Sequence, residues 1–109
     1  MAVDKSLLTG SSTMLVLKLL SEKDMYGYEM IETLRKRSDN VFEFKAGTLY
    51  PLLHGLVGKG MLKVYEQECL GKTRKYYSIT KEGRKMLKSK TEEWNEYSGA
   101  IASVMAFGV

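Results

Sequence analysis

The sequence predicts a mainly α-helical protein with one small β-hairpin and a long C-terminal helix, and three observations support this fold class. Apolar residues recur at helical spacing in the first sixty residues. Two short runs rich in strand-forming residues follow, separated by a loop that contains glycine. The chain then ends in a segment of about 25 residues whose apolar side chains recur in steps of three and four.

Length and composition indicate one compact unit. A chain of 109 residues is too short for two cores of ordinary size. A hydrophobic fraction of 44% and a charged fraction of 28% are typical of a globular protein, and they argue against disorder and fibres. Within this unit we expect a binding domain over residues 1–80 and a dimerisation helix over 81–109.

The charge is concentrated in the second half of the chain. Residues 1–60 carry eight basic and seven acidic side chains, 61–90 carry nine and three, and 91–109 carry none and three. A locally basic surface implies a polyanionic partner. Nucleic acid is favoured over a membrane, because no strongly apolar amphipathic face accompanies the charge.

Catalytic and metal-binding motifs are missing from the sequence. It has one histidine, one cysteine, no HExxH, no phosphate-cradling glycine loop and no nucleophile elbow, so we expect neither an enzyme nor a metal or cofactor site. With no signal peptide and no apolar run near 18 residues, we expect a cytoplasmic protein. Cys69 is either a redox sensor or an unreactive loop thiol, and the second is favoured because no cation-rich helix N-terminus is evident beside it.

The first two helices are predicted from their apolar spacing. After a lead-in over residues 1–10, a helix is expected from Ser11, capped by Ser11 or Ser12 and apolar on two sides, one for the core and one for a second subunit. After a turn at 22–25, a second helix is expected over 26–37. Its inward residues are Met30, Ile31 and Leu34. The cations at 35–37 either complement the helix dipole or contact phosphate.

The third helix is predicted to have one apolar and one open face. A linker over 38–44 precedes it, anchored to the core by Val41, Phe42 or Phe44. The inward residues of the helix are Leu49, Leu52, Leu53 and Leu56. The opposite arc holds Gly47, Tyr50, Pro51, His54 and Gly58.

A hairpin follows, with strands expected over 61–66 and 75–79 and a loop that contains residues 69–72. Side chains alternate along a strand, so we place Tyr77 in the core and Tyr76 outside. A helix beside a basic hairpin is the arrangement with which a winged helix-turn-helix holds duplex DNA.

The last helix is expected to run from Lys81 to about Ala106, capped by Thr80. A heptad-like seam comprises Leu87, Thr91, Trp94, Ser98, Ile101 and Met105. Because a domain this small cannot cover so long a helix, we expect it to pair with a second copy in a homodimer.

The ordered set of motifs YGYEMIETL, GTLYPLLHGL and RKYYSITKEG resembles the PadR family of bacterial winged-helix transcriptional regulators over almost the whole chain. The resemblance implies a start of the third helix near Lys45, whereas Pro51 would suit a helix capped by Thr48, so the helix begins late or bends at Pro51. Gly55 and Gly58 depart from the charged residues common in the family. Either they permit close approach to DNA or they are tolerated on a surface.

The candidate DNA-binding residues come from the residue types and from this resemblance. The hairpin and the start of the third helix supply cations for phosphate, the third helix supplies groups for the major groove, and Tyr76 lies beside them. The resemblance implies that Tyr26 or Tyr28 reaches the DNA backbone, and we assign Tyr28. The full set is Tyr28, Lys45, Thr48, Tyr50, His54, Lys72, Arg74, Lys75 and Tyr76.

A ligand site is implied by resemblance to the short, multidrug-sensing branch of the family. There a tryptophan at the same spacing after KYY pairs with its copy around a flat aromatic ligand between subunits. By that resemblance the site would comprise Leu7, Met14, Lys18, Trp94 and Ser98. Lys18 and Ser98 depart from that branch in polarity and charge, which argues against cationic drugs. Trp94 as a simple interface anchor is the alternative.

These patterns together favour a homodimeric repressor that binds a pseudo-palindromic DNA operator and is released by a planar aromatic effector. The alternative from another class is a winged-helix module that docks a protein and does not bind DNA. The two differ in salt dependence, because phosphate contacts weaken steeply as salt is added.

Overall fold

The computed structural model describes residues 4–107, and within them the chain forms four helices and a three-stranded antiparallel sheet of order β1-β3-β2. The elements are α1 (Lys5–Glu22), β1 (Met25–Tyr26), α2 (Gly27–Arg37), α3 (Ala46–Gly58), β2 (Leu62–Cys69), β3 (Lys72–Ile79) and α4 (Lys81–Ala106). The predicted fold class, a winged helix-turn-helix with a long C-terminal helix, is confirmed.

The core lies where α1, α2 and α3 pack on the base of the sheet. Its largest fully buried side chains are Val16, Leu17, Leu20, Met30, Leu49, Leu53, Leu62 and Tyr77. The predicted inward residues Ile31 and Leu52 are only half-buried. Of the three candidate linker anchors, Phe44 is buried, Phe42 packs partly against the core and Val41 is exposed.

α1 begins six residues earlier than predicted, at Lys5. Asp4 caps it, because a carboxylate oxygen accepts hydrogen bonds of 2.8 Å from both the backbone N–H and the hydroxyl of Ser6. Ser11 and Ser12 are therefore not caps; Ser11 Oγ donates to the carbonyl of Leu7, 2.9 Å away, inside the helix. Residues 1–3 of the expected lead-in lie outside the described part of the chain.

The segment predicted as a turn before α2 contains the short strand β1, which pairs with β3 in the register Met25–Tyr77 and Tyr26–Tyr76. Two residues are too few for side-chain alternation to be visible in a sequence. The sheet therefore has three strands where two were expected. Tyr26 becomes the N-cap of α2 and makes no side-chain capping bond.

α3 begins at Ala46, with Lys45 as its N-cap, and runs continuously through Pro51 to Gly58. The start implied by the family resemblance is confirmed, and a later start with Thr48 as cap is wrong. Pro51 is the sixth helical residue, so its missing N–H removes the hydrogen bond that the Gly47 carbonyl would otherwise accept.

The hairpin is longer than predicted. β2 continues three residues beyond Glu66, and β3 begins three residues before Lys75. The connection is a two-residue turn in which Leu70 and Gly71 have φ of 53° and 79°, as a type I′ turn requires. The turn could not be recognised in the sequence because its first position is leucine, where asparagine, aspartate or glycine is usual.

α4 has the predicted bounds and the predicted cap, because Thr80 Oγ1 accepts a 3.0 Å hydrogen bond from the N–H of Gly83. The helix runs antiparallel to α1: Ser21 lies near Arg84, and residues 6–14 face residues 90–97. The C-terminal turns of α4 extend beyond α1, and the longest dimension of the protein is 59 Å.

Candidate nucleic-acid interface

The outward face of α3 is open and has little side-chain bulk. Thr48 and His54 are exposed on it, as is the N-cap residue Lys45. A Cβ added at Gly47, Gly55 or Gly58 would meet nothing within 4 Å. The face therefore offers backbone and short side chains to any partner, with one histidine and one lysine as its longer polar groups.

Tyr50 has a packing role that sequence reasoning missed. Its ring lies over Gly27 at the start of α2, so closely that a Cβ at Gly27 would be 2.6 Å from Tyr50 Cζ. Tyr50 is still 38% exposed, so one edge of the ring remains available to a partner. The signal was the glycine in YGY, because glycine permits such close approach.

The predicted hairpin cations lie on two different faces. The register pairs Cys69 with Lys72, Gln67 with Arg74 and Glu66 with Lys75. Because side chains alternate, Lys72 and Arg74 share the outer face, whereas Lys75 lies on the face that continues into the core, opposite Glu66. Lys72 and Lys75 are exposed.

The positive charge is spread more widely than the hairpin. Of the nine basic residues in 61–90, four lie on β2 and β3, which also carry two glutamates, and five lie on the first ten residues of α4. Part of the basic cluster at the end of α2 is neutralised. Arg35 pairs with Glu32 at 2.8 Å. Arg37 forms a bidentate pair with Glu22, which raises the pKa of Arg37 above its ordinary value.

A ladder of three tyrosines covers the outer face of the sheet. Tyr76 meets the edge of the Tyr26 ring at 5.5 Å between centroids and stacks on Tyr65 at 5.8 Å. The hydroxyl of Tyr65 donates a 2.7 Å hydrogen bond to Asp24, which raises the pKa of Tyr65. The pKa of Tyr76 is raised to about 12 by the interaction of the Tyr76 hydroxyl with the Cys69 thiol. Both phenols therefore stay neutral near pH 7.

Tyr76 was placed correctly outside the core and Tyr77 inside it, where Tyr77 is 2% exposed. Tyr65 lies within the predicted first strand but was missed, because the two-residue turn that sets it opposite Tyr76 was not recognised in the sequence. Tyr28 is largely exposed on the first turn of α2.

Arg74 folds back from the hairpin instead of extending at its tip. Its Cζ lies 4.4 Å from the centre of the Tyr26 ring, a cation–π contact. Among the described residues, its Nε is buried without a hydrogen-bond partner.

A groove of about 380 Å³ lies between the N-terminal half of α1 and the middle of α4. It contains three of the five predicted ligand residues, Leu7, Met14 and Trp94, together with Ser6, Gly10, Ser11, Lys90, Glu93 and Tyr97. The early start of α1 produces this arrangement, because Leu7, Ser11 and Met14 then share one helical face.

The other two predicted ligand residues do not line the groove. Lys18 pairs with Glu22 at 3.6 Å on α1, and Ser98 Oγ donates to the Asn95 carbonyl at 3.4 Å. Within the groove, Trp94 is 45% exposed, and its ring centroid lies 6.4 Å from that of Tyr97.

The C-terminal half of α4 exposes an apolar stretch that no element of the described chain covers. It comprises Tyr97, Ile101, Val104, Met105 and Phe107, with exposed fractions from 45% to 81%. A shallow apolar depression is lined by four of these residues, Tyr97, Ile101, Val104 and Met105, and by Ala100. Exposed apolar patches of this kind mark association surfaces.

Neither a membrane-spanning helix nor a metal site is found among the described residues. Between residues 4 and 107, no helix has both the length and the hydropathy needed to cross a membrane. In the same range, no three or more His, Cys, Asp or Glu side chains come together as potential metal ligands.

Comparison with known proteins identifies a matching family and a similar protein. The family described as "Transcriptional regulator PadR-like family" matches residues 16–89. An uncharacterised protein from Lysinibacillus sphaericus is 35% identical over 100 residues, covering 91% of this chain and 92% of its own.

Two similar solved structures are regulators. A transcriptional regulator from Clostridium thermocellum is 37% identical with a TM-score of 0.84, over 90% of this chain and 96% of the other. A PadR family regulator from Clostridium difficile is 31% identical with a TM-score of 0.78, over 87% and 98%.

Proposed function

This chain belongs to the PadR-like family of transcriptional regulators, and on that premise we propose that it is a homodimeric repressor that binds operator DNA. The observation that carries the proposal is the open face of α3, which lies beside a hairpin with exposed cations. A regulator bound within a promoter represses transcription by blocking access to that promoter. Membership of a family of regulators, and not of enzymes, agrees with the lack of catalytic motifs in the sequence.

The outward residues of α3 suit insertion into the major groove. Glycine at 47, 55 and 58 leaves room for close approach, while Thr48 and His54 supply polar groups. Arginine, glutamine and asparagine, which make the strongest bidentate contacts with bases, are absent from this face. Phosphate contacts therefore supply much of the affinity, and binding weakens steeply with salt.

The apolar stretch of α4 supports dimerisation. Its side chains are exposed in one subunit, and a second copy of α4 and of the neighbouring α1 would remove them from water. Two α3 helices related by a twofold axis would then read a pseudo-palindromic operator, with half-sites about one helical turn, roughly 34 Å, apart.

The groove beside Trp94 supports the proposed effector. Its volume of about 380 Å³ falls within the range usual for small-molecule sites. Tryptophan from each subunit would stack on a planar aromatic compound from both faces. The groove lies between α1 and the dimerisation helix, so an occupant changes how the two subunits pack. A saturable quench of Trp94 fluorescence by planar aromatics, lost in Trp94→Phe, tests this part.

The main test uses duplexes selected by the protein from a random-sequence pool. We expect recovered sequences with twofold symmetry and an affinity that falls steeply with salt. Replacing Lys45, Lys72 and Lys75 together by alanine should weaken binding by at least tenfold and reduce the salt slope by about three. Lys88→Ala, which removes one charge from α4, is the control for net charge. Salt-independent binding, or no enrichment of any sequence, would contradict the proposal.

A further inference from the structure

The outer face of the hairpin contains an arginine whose position is set by another element. β1 pairs with β3, so that Tyr26 lies opposite Tyr76, two residues from Arg74 on the same face. The Arg74 side chain turns back along β3, and its Cζ lies 4.4 Å from the Tyr26 ring centre. Its charge is thus held near the start of α2 and away from the hairpin tip.

The Tyr26 ring is itself fixed from the other side. Tyr76 packs edge-on against it at 5.5 Å, and Tyr65 stacks on Tyr76 at 5.8 Å. Tyr65 donates a hydrogen bond to Asp24, two residues before Tyr26. A continuous series of contacts therefore runs from Asp24 through Tyr65 and Tyr76 back to Tyr26. Because these contacts hold the Tyr26 ring in place, the ring is a rigid surface on which a cation can stack.

The surroundings of Arg74 fix the orientation of its guanidinium as well as its position. Within the described residues, Nε of Arg74 is buried without a partner, and none of the ion pairs there includes Arg74. In a planar guanidinium the two terminal nitrogens lie on the far side of Cζ from Nε. These two are the donors left for a ligand, and their parallel N–H groups match two oxygens of a phosphate.

The neighbouring carboxylates do not compete for this charge. Asp24 accepts the hydrogen bond of Tyr65, and Glu29 pairs with Lys23 at 2.6 Å. The ring of Tyr50 packs on Gly27, next to Tyr26, which brings α3 to the same place. Among residues 4–107, Arg74 thus makes no ion pair where it lies between the hairpin and the helix-turn-helix.

We propose that Tyr26 is a positioning residue, which holds the Arg74 guanidinium to bind one backbone phosphate of duplex DNA beside the start of α2. This inference rests on the proposed DNA binding. It separates Arg74 from Lys72: both lie on the outer face, but Lys72 is an exposed charge next to the turn, whereas Arg74 is oriented before binding.

The test is a double-mutant cycle on the intact protein, with its selected duplex as the probe and affinity measured over a range of salt. Arg74→Gln should weaken binding about tenfold and reduce the salt slope by about one. Tyr26→Leu should weaken it by about threefold to tenfold, while Tyr26→Phe keeps the ring and should bind as the parent does. In the Arg74→Gln background, Tyr26→Leu should have no further effect.

Further variants cover the case in which Tyr26→Leu does not fold. Arg74→Lys keeps the charge but loses the planar group that stacks on a ring, so it should weaken binding to the same extent as Tyr26→Leu. Lys88→Arg, at an exposed position of α4 outside the proposed DNA-binding surface, is the matched control and should bind like the parent protein. Full affinity for Arg74→Lys, or an equal effect of Tyr26→Leu with and without Arg74, would overturn the proposal. Failure of the parent protein to bind any duplex would instead overturn the proposed function.

Discussion

The ring of Tyr50 lies directly over Gly27, and this contact joins the two helices of the helix-turn-helix. A Cβ at Gly27 would come within 2.6 Å of Tyr50 Cζ, closer than real carbon atoms approach. A side chain at the first residue of α2 would therefore require the Tyr50 ring of α3 to move.

Gly27→Ala should lower the free energy of unfolding by about 1–3 kcal/mol, because the added methyl must displace the Tyr50 ring. Urea unfolding at one fixed protein concentration measures this. Gly55→Ala, at a helical position with open space, should instead be neutral or up to about 1 kcal/mol stabilising. In a Tyr50→Ala background, Gly27→Ala should no longer destabilise; an unchanged penalty there would show that the contact is not its cause.

Gly83→Ala should be more damaging, by about 3 kcal/mol. A Cβ here would overlap the backbone carbonyl oxygen of Met61 and lie 2.7 Å from Ile79 Cγ1. The carbonyl cannot move freely, because it accepts hydrogen bonds from Thr80 N at 3.1 Å and Thr80 Oγ1 at 3.0 Å. Thermal unfolding compares this variant with Gly99→Ala on the same helix, where a methyl meets nothing. Equal melting temperatures of Gly83→Ala and Gly99→Ala would contradict the predicted clash with the Met61 carbonyl.

Pro51→Ala should raise the free energy of unfolding by up to about 3 kcal/mol, because it restores the hydrogen bond to the Gly47 carbonyl inside α3. Pro51 is exposed, so no core contact is lost. Denaturant unfolding gives the stability, and titration of the selected duplex gives the effect on binding. A variant no more stable than the parent would mean that α3 already accommodates the ring without strain.

Ile101→Asp should convert dimers into monomers, because it places a charge within the apolar stretch of α4 that we propose is buried between subunits. Sedimentation equilibrium over a range of protein concentrations measures the change. Asn95→Asp adds the same charge to an exposed position of α4 outside that stretch and should leave the assembly intact. An unaltered dimer in Ile101→Asp would place the interface elsewhere.

The pairing of Glu22 with Arg37 predicts a small loss of stability in acid. The hydrogen bonds from Arg37 hold the pKa of Glu22 below its usual 4.5. Its contribution is therefore complete at neutral pH and is lost as the pH falls below 4.5 through the lowered value. Both side chains are exposed, so the effect is modest. Arg37→Gln should be less stable than the parent at pH 7, and the difference should shrink as the pH falls below 4.5, as followed by urea unfolding.

Much of the fold could be predicted because it depends on local patterns. Thr80 as a capping residue predicted the start of α4, and leucine spacing predicted the buried face of α3. The errors occurred where the cause is tertiary. β1 exists only because β3 lies beside it, and Leu70 occupies a left-handed turn because the paired strands require it.

The candidate site was predictable by residue type but not by arrangement. The exposure of His54 followed from helical phase. The glycine in YGY signals a close approach but does not identify Tyr50 as the partner, and no pattern places Arg74 on Tyr26, since both contacts join segments that are distant along the chain. The separation of Lys75 from Lys72 onto another face required the true register of the hairpin.

The uninterrupted α4 also restricts how its length can change. Each residue of an α-helix turns the chain by about 100°, so inserting or deleting one residue before Trp94 would rotate the whole apolar stretch away from the second copy that we propose covers it. Changes of about seven residues would restore the angular phase while shifting the subunits by roughly 10 Å along the helix axis. Relatives with longer or shorter last helices should therefore differ by whole heptads.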